Sequence, residues 1–268
     1  VSYMTIVWYY AYETMGEVLN LGRSHRAYIK GNLKFNLAIV LPWLIYLVVH
    51  DLLRGFVPGL YDVLTGSLLS QLIFFGVFLI ILVILAPVLI TRLWECRPLD
   101  DPEMTHMIET FSKSQGVKFR SIMSWNALNS SLVTAGVMGL VARFRYLMLT
   151  PELLRLLDKE EVMGVVCHEV GHVKKKHLLY YFLIFTGMMI FWSLAAQWLQ
   201  VMAFYVLPPV VITEEFINLF SIFGSIGLLV LFFRYIFGYF MRNFERQADM
   251  FCFECGVDPD WLIRSFRT

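Results

Sequence analysis

His168, Glu169 and His172 spell H-E-x-x-H inside the stretch His168-Glu-Val-Gly-His-Val-Lys-Lys-Lys-His177. On a helix of 3.6 residues per turn, positions i and i+4 share a face, so the two imidazoles can close on one metal ion. Glu169 stands beside them, where a carboxylate can take a proton from a water acidified by that metal. Five residues also match by chance, and a hydrolytic zinc site needs a third protein ligand and one open position. A further His, Asp, Glu or Cys must therefore return to the same helix.

Three candidates present themselves. His177 is nearest, but at 100° per residue it points about 180° from His168 and about 140° from His172 on a continuous helix. It reads as an interfacial residue or one that supports a ligand from behind. His106 and Glu109 are i and i+3 on an amphipathic stretch and read as an ordinary solvated face. Glu245 and Asp249 are i and i+4 in Arg242-Asn-Phe-Glu-Arg-Gln-Ala-Asp249. There Glu245 can complete the coordination and Asp249 can orient a ligand imidazole through its other ring nitrogen. An E-x-x-x-D after an apolar stretch is usually a charged boundary, so its value depends on what carries it back to residue 172.

Composition supplies the carrier. The 268 residues are 58% hydrophobic and 16% charged, with 23 Phe and 7 Trp, and the mean hydropathy is +0.65. Soluble domains average about 45–50% apolar and about 25% charged, so this is a membrane protein. The net charge of +1 and the lack of a basic-aromatic strip point away from nucleic acid. The four cysteines form no framework. Cys252-Phe-Glu-Cys255 has no second pair and reads as small apolar residues on a helix face.

Four spans are expected, at 35–53, 68–90, 178–199 and 216–240. Pro42 kinks the first, and Arg234 in the last snorkels to the interface. The apolar start, Val1 to Tyr12, is too short to span, and 54–67 reads as an interfacial loop. The chain then divides into 1–94 with two spans, a soluble catalytic region 95–177, a membrane hairpin 178–240 and a final segment 241–268. That last segment ends in an unfinished amphipathic pattern, so the sequence is expected to be a piece of a longer chain. With the N-terminus inside, 20 of the 22 Lys and Arg fall in inside segments, which obeys the positive-inside rule. The hairpin thus returns Glu245 to the side where His172 left.

Within 95–177, Asp100-Asp-Pro-Glu103 opens a helix that runs to about Gln115, ended by Gly116. Val117–Leu128 and Phe144–Leu149 suggest strands, separated by a loop rich in small and hydroxyl residues. Thr150-Pro151-Glu152 is an N-cap followed by Pro at the first helical position, opening a helix to Leu157. Asp158-Lys-Glu-Glu161 caps the helix that carries the histidines.

The pairing of His168-Glu-Val-Gly-His172 with Phe244-Glu-Arg-Gln-Ala-Asp249 across a two-span hairpin resembles the HtpX-type membrane metallopeptidases and their relatives, the type 1 CAAX prenyl endopeptidases. Asn126-Ala-Leu128 and Arg145-Tyr-Leu-Met-Leu-Thr-Pro-Glu-Leu-Leu154 also resemble that family's segment before the metal helix. The likeness covers residues 95–260 and is loose in the first 90. It implies a mainly α, multi-pass membrane protein with a small α+β gluzincin-like catalytic domain. One zinc per chain would be held by His168, His172 and Glu245, with Glu169 as catalytic base and the Asn126 segment aligning substrate backbone.

The expected activity is hydrolysis of peptide bonds in membrane or membrane-proximal proteins, as in protein quality control. By the same likeness the expected setting is a bacterial inner membrane, and the Lys and Arg distribution puts the site on the cytoplasmic side. A prenylated C-terminal peptide is the alternative substrate, disfavoured because eukaryotic-type prenyl proteases have more spans than four. A multi-pass protein that binds zinc without catalysis is the alternative class. It leaves Glu169 without a role, and transporters place such ligands nearer the bilayer midplane. The oligomeric state is left open.

Overall fold

Residues 2–19, 25–125, 132–206 and 213–267 are described by the structure, a computed structural model. The chain falls into two compact units, Val1–Val170 with Val257–Thr268, and Gly171–Gly256.

The first unit opens with α1 (Ser2–Leu19) and α2 (His25–Phe56). The expected span at 35–53 is the apolar part of a longer helix. α2 is 32 residues, about 48 Å at 1.5 Å per residue, against a hydrocarbon thickness of about 30 Å. Its basic first third (Arg26, Lys30, Lys34) therefore projects beyond the hydrocarbon. Pro42 lies inside it, and the predicted interfacial loop contains a helix of its own, α3 (Pro58–Thr65), with Pro at its start. α4 (Leu68–Leu93) begins at a capping box in which the Ser67 and Ser70 side chains satisfy each other's backbone N–H groups. At its other end Trp94 stacks between Phe35 of α2 (5.1 Å) and Trp125 (4.8 Å), and Lys34 pairs with Glu95. Aromatic rings and cations at the end of a span are what a membrane interface accommodates.

After α4, the described residues of this unit form a four-stranded sheet with helices. β1 (Arg97–Pro98), β2 (Ser121–Ser124), β3 (Ala135–Met138) and β4 (Tyr146–Leu149) lie in the order β1-β2-β4-β3. β2 and β4 are parallel, with Ile122 opposite Leu147, and the two outer pairings are antiparallel. All four residues of β4 are buried, as a central strand covered on both faces requires. β2 is shorter than the run predicted from Val117, and β3 occupies what the sequence suggested was loop. Ala135-Gly-Val-Met138 has no β-branched alternation, so its strand state comes from pairing with β4. The turn back to β4 needs Gly139, whose φ is +102° and where a Cβ would meet the Phe144 carbonyl oxygen at 2.3 Å. Arg145 ties that turn down by donating to the carbonyls of Gly139, Leu140 and Lys118, and its burial pulls the guanidinium pKa below the ordinary value.

The helices here follow their local signals. α5 (Pro102–Ser114) is capped by the Asp101 side chain accepting from Met104 N, and α6 (Pro151–Leu156) by Thr150 accepting from Leu153 N. α5 buries Met104, Ile108 and Ser112, spaced by four. α7 (Lys159–Lys174) starts at a reciprocal cap: Asp158 Oδ1 accepts from Glu161 N at 2.8 Å, and Glu161 Oε2 from Asp158 N at 3.0 Å.

α11 (Pro259–Ser265) crosses α7 at Gly164, where a Cβ would lie 2.7 Å from Leu262 N, and Arg264 bonds Glu160 at 2.7 Å. Gly164→Ala is therefore expected to lose about 1–3 kcal/mol of stability by overpacking backbone against backbone. It would appear as a lowered thermal midpoint in detergent. An unchanged midpoint would mean the α7–α11 crossing is looser than described.

The second unit is a helical hairpin. α8 (His177–Val206) leads out, and α9 (Glu214–Leu231), a π-helical turn (Phe232–Phe237) and α10 (Gly238–Glu254) lead back. Among the described residues three helices are long and apolar enough to cross a membrane: α2, α4 and the return helix over Glu215–Glu254. α8 carries a shorter apolar run, His177–Trp192. The return helix is 40 residues, about 60 Å, twice the hydrocarbon thickness. Its polar end, which carries Glu245, therefore stands clear of the bilayer.

An aromatic ladder joins the two arms. His177, Tyr181 and Phe185, spaced by four on α8, meet Phe244 (4.5 and 5.0 Å) and Phe237 (5.0 Å from Phe185). Arg234 lies in the π turn and is exposed. Extra-residue turns of this kind recur at functional sites, and the sequence around Phe232 carries no sign of one.

Candidate metal centre

The H-E-x-x-H motif lies on α7, which starts at its reciprocal cap and holds His168 and His172 one turn apart near its far end. Gly171, between them, is buried. A Cβ there would meet the Ala248 Cα and carbonyl oxygen and the Phe251 Cβ, all at 3.1 Å. Glycine at 171 lets α10 approach this closely, and α10 carries Glu245. Phe244 next to it is buried under His177 and Tyr181, so the carboxylate beside it is aimed by a fixed neighbour.

The result is convergence. Glu245 Oε2 lies 3.7 Å from His172 Nε2, and the donor atoms of His168, His172 and Glu245 all lie within 4.8 Å of one another. In a tetrahedron with bonds of about 2.1 Å, ligand atoms are about 3.4 Å apart. Two imidazoles and a carboxylate at this spacing fit a zinc-sized cation after sub-ångström adjustment. His172 is largely buried, with 12% of its side chain exposed, whereas Glu245 is 50% exposed. The centre is therefore open on the Glu245 side, where a water and a substrate carbonyl need room. Glu169 is half-buried on α7, and Asp249 is half-buried one turn beyond Glu245 on α10. Asn126 lies outside the described residues.

His177 behaves differently from the geometry of a continuous helix. α7 ends at Lys174, Lys176 takes a left-handed φ of +60°, and α8 begins at His177. That break swings the imidazole back. His177 is fully buried, its Nδ1 is 2.9 Å from His172 Nδ1, and its Nε2 is 3.1 Å from Gln247 Oε1. It therefore touches a member of the triad without joining the donor cluster. Gln247 was not singled out in the sequence, and nothing in its local pattern marks it. Lys175 holds the same break against α10 through Glu254, at 2.8 Å.

The other candidates stay apart. His106 and Glu109 are exposed on α5, with Glu109 paired to Lys113 at 2.7 Å, an ordinary i,i+4 surface pair. Among the described residues no cysteine is in a disulfide. Cys252 is buried and Cys255 half-buried, and each thiol faces a carbonyl of its own helix.

Comparison with known proteins gives the same answer from a different direction. The Peptidase family M48 description matches residues 98–268, which takes in the sheet, α7, the hairpin and α10. Among solved structures, the crystal structure of S. mikatae Ste24p is similar in fold, with a TM-score of 0.61 at 22% identity. The alignment covers 85% of this chain and 59% of that one, so the chain spans under two thirds of its neighbour's length. No curated protein sequence matches the chain. With a family match over more than half its length, coinciding with the H-E-x-x-H helix and the returning glutamate, the chain belongs to peptidase family M48.

Proposed function

We propose that the chain is a membrane-embedded zinc metalloendopeptidase, cutting peptide bonds of membrane or membrane-proximal proteins. The observation that carries this reading is the meeting within 4.8 Å of the donor atoms of Glu245 on α10 with those of His168 and His172 on α7, the helix that also bears Glu169. His168, His172 and Glu245 would hold the zinc, which when bound would polarise a carbonyl and lower the pKa of a water to about 7. Glu169 accepts the proton of the attacking water and passes it to the leaving amine. Asp249 steadies the ligand set from one turn behind Glu245. Among the described residues β3 is the outermost strand of the sheet, an edge to which an extended peptide could add.

The substrate class follows from position. α8, whose run from His177 to Trp192 is apolar, starts five residues after His172, so peptides presented at the bilayer surface are the ones within reach. The Lys and Arg distribution supports a cytoplasmic face, and the likeness to HtpX-type enzymes supports a bacterial inner membrane and a quality-control role.

The test is metal removal. Cleavage of casein or of a detergent-solubilised membrane protein is expected to stop after chelation and to return with one equivalent of zinc per chain. Undiminished cleavage by metal-free protein would overturn the proposal.

A further inference from the structure

The geometry points to Gln247 and His177 as a two-residue device that fixes the tautomer of His172, so that its Nε2 lone pair is presented to the metal. This rests on the proposed role of His172 as a ligand. His172 Nε2 faces Glu245 Oε2 at 3.7 Å, while its Nδ1 faces His177 Nδ1 at 2.9 Å. Two imidazole nitrogens at that distance form a hydrogen bond only if one carries a proton and the other does not.

Gln247 decides which. Its Oε1 can only accept, so the proton of His177 must sit on Nε2, 3.1 Å away. His177 Nδ1 is then the acceptor, His172 must hold its proton on Nδ1, and its Nε2 presents a lone pair on the Glu245 side. Burial makes the arrangement hold: His177 is fully buried and stacked on Phe244 at 4.5 Å with 12° between the rings, so it cannot rotate without leaving polar atoms unsatisfied. A ligand imidazole whose other nitrogen is held in this way is oriented and made more basic. The arrangement uses a neutral amide and a second imidazole in place of the usual carboxylate or carbonyl. His177 and Gln247 are positioning residues, since neither is in the donor cluster.

The test uses the full chain in detergent and reads metal binding, which does not depend on turnover. Gln247 is exposed on α10, so replacing it leaves the core intact. Gln247→Leu removes the acceptor and is expected to weaken zinc affinity by about 10–100-fold in a chelator competition. It should also shift the ligand-field spectrum of the cobalt-substituted protein, a readout that the lost His177–Gln247 hydrogen bond would not move through stability alone. Gln247→Glu keeps an acceptor at the same place and is expected to restore affinity to within about threefold. His177→Phe, which keeps the ring stack and loses the acceptor, should match Gln247→Leu.

Unchanged zinc affinity and cobalt spectrum in Gln247→Leu would overturn the inference. So would a Gln247→Glu variant as weak as Gln247→Leu, because the amide would then be donating to His177. Failure of the wild-type protein to bind zinc would overturn the proposed function and this inference together, whereas wild-type binding with an indifferent Gln247 overturns the inference alone.

Discussion

Glu169→Gln is expected to lower peptide cleavage by about 10²–10⁴-fold while leaving one zinc per chain in place. Glutamine has the shape of glutamate but cannot take a proton at neutral pH, and general-base catalysis contributes a factor of that size. The substitution leaves the donors of His168, His172 and Glu245 where they are, within 4.8 Å of one another. Binding and catalysis thereby separate, which is what distinguishes a peptidase from a protein that only stores or senses the metal. The measurements are the rate of peptide release from casein or a solubilised membrane protein and the zinc content of the same preparation. A variant that binds zinc and cleaves at the wild-type rate would remove Glu169 from the mechanism.

Glu245→Ala should act on the other quantity. Removing the carboxylate leaves two imidazoles one turn apart on α7, and zinc is expected to be lost during gel filtration. The side chain is 50% exposed, so the substitution itself should cost within about 0.5 kcal/mol of stability. What disappears is the linkage to metal: at a free zinc concentration 100 times Kd, a bound ion stabilises by about 2.7 kcal/mol. Zinc is expected to raise the melting temperature of the wild-type protein and not that of Glu245→Ala, and cleavage should fall with it. Zinc stoichiometry and zinc-dependent melting equal to wild type would remove Glu245 as a ligand.

Legibility in the sequence tracked how local each interaction is. The start of α7 was readable because Asp158 and Glu161 satisfy each other's backbone across three residues. α5 and α6 were readable for the same reason, from Asp101 and from Thr150-Pro151. The membrane helices announced themselves by composition, but their lengths did not. Residues 25–34 are polar and still helical because a span propagates into its flank, and propagation costs less than nucleation. β3 was missed because Ala135-Gly-Val-Met138 becomes a strand through its hydrogen bonds to β4. Those partners lie eight to fourteen residues further along the chain.

The site divides in the same way. By itself the sequence determined the side-chain types and the local pairs: two imidazoles and a carboxylate on one helix, and Glu245 with Asp249 on one face of another. Helical periodicity is a property of a few consecutive residues, and the hairpin that brings the two helices to one side is a property of composition. Only the tertiary structure decided how close they come and what His177 does. The approach of α10 depends on the space left by Gly171 against Ala248 and on Phe244 seating under His177 and Tyr181. The direction of His177 depends on one left-handed residue, Lys176, in a run of three lysines with no glycine or proline to announce a break. A continuous helix would have carried His177 away from His172. The break turns it back, because a single reversed φ redirects everything after it, and packing across the hairpin, rather than local preference, holds that reversal in place.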